Sequence, residues 1–156
     1  MTKNIMIVGV GGQGTLLASR IIGNAVISEG HDVKISEVHG MSQRGGSVVT
    51  YVKFGDAVYS PVIDRGEADI ILAFETLEAY RALPFLKKGG KIVQKTDDKD
   101  FFEFSLEEYK ACGFQTENVT YNLHEKGNPE WNIVTEYESM FVAQGKPIYR
   151  LEAYLR

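Results

Sequence analysis

The stretch Gly9-Val10-Gly11-Gly12-Gln13-Gly14 constrains this chain more than any other. Gly9, Gly11 and Gly14 have the spacing G-x-G-x-x-G. The first allows a tight turn, the second lets a phosphate approach the backbone, and the third lets helix and strand pack closely. Before it, residues 4–9 (NIMIVG) form a nearly continuous apolar run, as in a strand buried on both faces. After it, Leu16, Leu17, Ile21, Ile22 and Ile27 recur near helical spacing across residues 15–29, and Gly30 supplies a stop. A strand, a glycine turn and a helix in that order open a layered α/β sheet. The helix start also favours an anion.

The rest of the chain continues the alternation. Residues 32–36 read as a second strand, and residues 47–54 and 57–62 as a hairpin about Gly55-Asp56. Residues 68–74 (ADIILAF) read as a buried strand, 76–83 as a short helix ended by Pro84, and 91–95 as a strand entered through Gly89-Gly90. Ser105-Leu106-Glu107-Glu108 and Thr135-Glu136-Tyr137-Glu138 have the form of capping boxes, predicting helices to Gly113 and Gly145. Residues 114–123 and 148–155 complete the strands. The pattern predicts one Rossmann-like domain over residues 1–156, a three-layer, doubly wound, mostly parallel α/β sheet. Residues 4–9, 68–74 and 91–95 are its expected central neighbours.

Composition narrows the function. A chain of 156 residues can bury a core without a staple. The net charge of −4 argues against nucleic-acid binding through bulk charge. Cys112 is the single cysteine, so this sequence holds neither an internal disulfide nor a thiolate set for zinc or an iron–sulfur cluster. It is read as a buried or inert thiol. No apolar signal segment and no run of membrane-spanning length occur, and a cytoplasmic protein away from membranes is expected.

Candidate ligand-binding residues gather near the glycine turn: Gly9, Gly11, Gly12, Gly14, then Glu37 at the end of the second strand, where a ribose-binding acid would sit. Arg44, in the polar loop Met41-Ser42-Gln43-Arg44-Gly45-Gly46, could clamp a phosphate or carboxylate. The bland alternatives are a packing turn, a strand-end surface acid and a solvated loop arginine. No catalytic or metal-binding residue is assigned. No cofactor is required, and a weak nucleotide or phosphate site is the one ligand expected.

Two family resemblances run along the chain. The glycine turn, Met41 to Val48 (MSQRGGSV), Ala68-Asp69 and residues 86–93 resemble the gamma subunit or domain of 2-oxoacid:ferredoxin oxidoreductases, notably the indolepyruvate type. That resemblance covers residues 4–93 and implies partner subunits carrying thiamine diphosphate and iron–sulfur chemistry. From about Lys95, the runs Lys95-Thr96-Asp97, Asn122-Leu123-His124, Thr135-Glu136-Tyr137-Glu138 and residues 145–152 resemble the last third of bacterial tRNA (guanine-N7) methyltransferases. This second resemblance implies an antiparallel C-terminal strand. It also implies a nucleoside-holding role for Asp97, Thr135, Glu136, Tyr137 and Glu138. The methyltransferase's own glycine loop and its P-D-P-W stretch have no counterpart here.

The leading expectation is therefore a recombined protein, an engineered chimera of a 1–93 and a 94–156 segment, with no evolved reaction and no obligatory partner. A gamma-type oxidoreductase subunit with partner subunits is the alternative. A methyltransferase-like RNA or nucleoside binder is the second.

Overall fold

The computed structural model describes residues 1–40 and 45–154. The chain divides into two compact units, Met1–Lys88 and Gly89–Arg156. Each has its own sheet.

In the first unit, β1 (Lys3–Val10) leads through the glycine turn into α1 (Thr15–Ser28), then β2 (Asp32–His39), β3 (Ser47–Gly55), β4 (Ile70–Ala73) and α2 (Thr76–Ala82). The strand order is β2-β3-β1-β4. β1 runs parallel to β4, but β3 lies between β1 and β2 and is antiparallel to both. The expected mostly parallel order is thereby corrected. Residues 57–62 form no strand: the Asp32 carboxylate accepts from the backbone N–H of Val58 at 2.8 Å, holding that segment beside β2. Met6, Ile7 and Val8 are at most 3% exposed, as the apolar run requires of a strand covered on both faces. Met6 and Val8 pack with Ile63, Ala68 and Ala82 on one side.

α1 contacts β1, β2 and β3. Its inward residues are Thr15, Ser19, Gly23 and Val26, spaced three or four apart on one face. They are small for a reason: a Cβ on Gly23 would lie 2.7 Å from Ile35 Cδ1, so the helix approaches the sheet closely. Leu16, Leu17, Ile21 and Ile27, the residues whose spacing announced the helix, are 40–63% exposed.

The second unit holds β5 (Lys91–Thr96), α3 (Lys99–Ala111), β6 (Gln115–Thr120), α4 (Glu136–Ala143) and β7 (Tyr149–Tyr154). Its sheet order is β5-β7-β6, with β7 antiparallel to both neighbours, as expected of the last strand. β5 therefore pairs here and not with β1 or β4, which corrects the expectation of one continuous sheet. Asp98 caps α3 by accepting from Phe101 N at 2.9 Å. The helix thus starts well before Ser105, whose hydroxyl instead donates to Phe101 O at 2.7 Å from mid-helix. Phe102 on α3 is fully buried against Tyr149, Leu151 and Ala153 of β7. Burying such a side chain contributes about 2–3 kcal/mol. Cys112 is the C-cap residue of α3 and is exposed, so the buried alternative of its reading does not hold.

Candidate functional site

The glycine turn is built by its own glutamine. Gln13 Oε1 accepts from Val10 N at 2.9 Å, and Gln13 Nε2 donates to Phe74 O at 3.4 Å, so the side chain joins the ends of β1 and β4. Gly11 N donates to Gly46 O at 2.9 Å, tying the turn to the start of β3. Gly9 is a packing glycine: a Cβ there would stand 2.7 Å from Gln13 Oε1 and 3.2 Å from Phe74 Cβ. Gly12 and Gly14 serve differently. Both are exposed and left-handed, with φ of 96° and 85°, and open space lies where their Cβ atoms would be.

Gly14 is the N-cap of α1 and offers no side chain to its first turn. That leaves the leading N–H groups of α1 to solvent or a ligand. A cavity of about 330 Å³ opens there, lined by Gly11, Gly12, Gly14, Glu37 and His39 among others. Glu37 and the turn thus line one cavity. Glu37 Oε2 is buried and has no hydrogen-bond partner among the described residues. His39 Nδ1 lies 3.2 Å from Gly40 O. Arg44 falls outside the described residues.

The second group of candidates, in the unit Gly89–Arg156, is arranged around Glu138. Thr135 caps α4 and Glu138 reciprocates, completing the expected capping box. The Glu138 carboxylate is also a hub. Its Oε1 contacts His124 Nε2 at 2.8 Å and Asn132 Nδ2 at 2.9 Å, while Lys95 Nζ donates to its Oε2 at 2.7 Å. Burial pushes this carboxyl up, but the hydrogen bonds from Lys95, Asn132 and His124 outweigh it and hold it at about 2. Asp97 lies 3.6 Å from Lys146, and Glu136 and Tyr137 are exposed on the first turn of α4. Of the five residues, Thr135 and Glu138 are thus committed to holding α4 in place. Lys95, His124 and Asn132 completed this cluster without being expected, since three residues so far apart in sequence carry no local signal.

Among the described residues no group of His, Cys, Asp and Glu could hold a metal ion, and no helix is long and apolar enough to cross a membrane. With one cysteine, the donor set does not fit an iron–sulfur cluster.

A strand, a glycine turn and a helix with an open start begin a mixed α/β protein with two sheets. Residues 4–131 match the family model described as pyruvate ferredoxin/flavodoxin oxidoreductase, and the chain belongs to that family. The match runs past Gly89-Gly90 and on to Trp131, beyond the point where this likeness was expected to stop. The indolepyruvate oxidoreductase subunit IorB of Pyrococcus horikoshii is 54% identical over 89 residues, covering 57% of this chain and 44% of that protein. The tRNA (guanine-N(7)-)-methyltransferase of Lachnoclostridium phytofermentans is 47% identical over 91 residues, covering 58% of this chain and 42% of that one. The mixed resemblance is thus real. A solved structure, the gamma subunit of a keto/oxoacid ferredoxin oxidoreductase from Geobacter sulfurreducens PCA, aligns with a TM-score of 0.41 at 32% identity. It covers 58% of this chain and 48% of its own. The chain spans less than half the length of the curated relatives it matches.

Proposed function

We propose that this chain is a gamma-type part of a 2-oxoacid:ferredoxin oxidoreductase of the indolepyruvate class, acting with partner subunits. The observation that carries this reading is the family match across residues 4–131, which continues through the junction where a recombined protein would have changed parent. It favours the gamma-type reading over an engineered chimera. Thiamine and iron–sulfur chemistry would come from the partner, because this chain's single cysteine cannot ligate a cluster.

Two features of the unit Met1–Lys88 support that role. The open start of α1 beside Glu37 suits a phosphate carrying a ribose: N–H groups for the phosphate, a carboxylate for a hydroxyl. The outward Leu16, Leu17, Ile21 and Ile27 give α1 an apolar face of the kind a partner subunit covers. Co-purification with the thiamine- and cluster-bearing subunit of an indolepyruvate oxidoreductase tests the reading. Co-elution and restored viologen reduction on indolepyruvate are expected, with association lost in Leu17→Glu. A chain that neither co-elutes nor restores reduction would overturn it.

A further inference from the structure

The face of the β5-β7-β6 sheet turned away from α3 carries charge where a sheet face usually carries apolar side chains. Along β7, Tyr149, Leu151 and Ala153 pack against Phe102, so the alternation sends Arg150 and Glu152 to the other side. Both are nevertheless only 8% exposed. They line a cavity of about 640 Å³ together with Lys91, Asn118 and Trp131.

Glu152 is fully engaged: Lys91 Nζ donates to its Oε2 at 2.8 Å, and Arg150 Nη2 donates to its Oε1. Glu117, directly opposite Glu152 on β6, sets a second carboxylate on the same face, engaged by the Tyr154 hydroxyl. Arg150 holds its guanidinium carbon 4.6 Å from the centre of the Trp131 ring. Its Nε is buried and has no hydrogen-bond partner among the described residues. A buried guanidinium N–H is a strong donor and is costly to leave unpaired, so the site is short of one acceptor. On the far wall, the β6–β7 register shifts between Glu117 and Thr120, and Asn118 takes a φ of 50°. Trp131 is 60% exposed, leaving indole surface for a second flat group.

We propose that this cavity binds a small oxyanion, a carboxylate or phosphomonoester borne on a flat or apolar body. One oxygen accepts from Arg150 Nε and from Lys91, and the body lies along Trp131 and Leu123. The anion supplies the acceptor Arg150 lacks. Its shared chemistry is the oxyanion, and the probe that binds distinguishes the two sources.

Trp131 is the only tryptophan, so its fluorescence reports this cavity in the full chain. Titration with benzoate and with inorganic phosphate at constant ionic strength is expected to give a saturable emission change for at least one. Benzamide, the neutral counterpart of benzoate, should give none. Lys91→Gln, at a half-exposed side chain and with the fold checked by circular dichroism, should weaken binding about tenfold. Arg150→Lys should weaken it further. Phosphate binding alone would assign the phosphomonoester, and benzoate binding alone the carboxylate. The proposal is overturned if neither probe changes the emission, if benzamide matches benzoate, or if Lys91→Gln binds as tightly as the unaltered chain.

Discussion

Lys95 and Glu138 meet at 2.7 Å, and through this contact the end of β5 and the first turn of α4 are held as one piece. Both partners are shielded, with side chains 29% and 5% exposed, and His124 and Asn132 complete the carboxylate's shell. Removing the charge strands Lys95 in a partly buried site. Glu138→Gln should therefore destabilise the fold by about 3 kcal/mol. Urea denaturation followed by circular dichroism measures it. A loss under about 1 kcal/mol would mean that the hub is an ordinary surface pair.

The same carboxylate makes stability depend on acid. Glu138 titrates at about 2 against an ordinary 4.5, and Glu152, held down by Lys91 and Arg150 against burial, also at about 2. A depressed folded value contributes stability that is present above the unfolded value. It is lost as pH falls through the folded one. The chain should be most resistant above about pH 5 and lose stability between about pH 4.5 and 2. Denaturation midpoints at pH 6 and pH 3 check this. In Glu138→Gln the difference should shrink, and an unchanged difference would assign the acid sensitivity elsewhere.

Phe102 is the largest fully buried side chain among the described residues, its ring centre 5.2 Å from that of Tyr149 and 5.4 Å from that of Tyr121. Phe102→Ala should cost about 3–5 kcal/mol. Hydrogen exchange should quicken first along β7, whose Leu151 loses its cover. Unaltered exchange there would mean that α3 does not anchor this sheet.

Methyl transfer to tRNA guanine is not expected, despite the likeness of sequence. Where a catalytic segment would follow the fourth strand, Glu75 caps α2 and Glu78 is buried between Ser47 and Arg81, at 2.6 Å from each. Incubation with labelled S-adenosylmethionine and unmodified tRNA tests this. Incorporation that Thr135→Ala abolishes would reverse the assignment.

What the sequence disclosed was local. The glycine turn, the antiparallel last strand and the Thr135–Glu138 box each depend on a few adjacent residues or a stated resemblance. The insertion of β3 between β1 and β2 pairs it back onto β2 and, across α1 and β2, onto β1, and alternation along residues 47–55 names neither partner. The buried face of α1 was missed for a different reason. Thr15, Ser19 and Gly23 are inward because the helix sits close to the sheet, and small residues carry no hydrophobic signal. At α3 a serine that looked like a cap lay mid-helix, because Asp98 had already supplied the start.

The glycine turn allows a test that separates a phosphate from a nucleotide. Glu37 lines the same cavity as the α1 start, and its carboxylate acts in opposite directions on the two ligands. It repels a bare phosphate, yet it can accept a hydrogen bond from a ribose hydroxyl. Replacing it with alanine should tighten inorganic phosphate by about two- to threefold and weaken adenosine monophosphate by about tenfold. Amide shifts of Gly12, Gly14, Thr15 and Leu16 report both titrations. Gly14→Ala should cost about 1 kcal/mol through its left-handed φ of 85° and weaken both ligands. Gly11→Val should remove both, because its side chain would occupy the space the phosphate needs. If Glu37→Ala moves the two affinities in the same direction, Glu37 is not the ribose contact. The turn is then a site for simple anions.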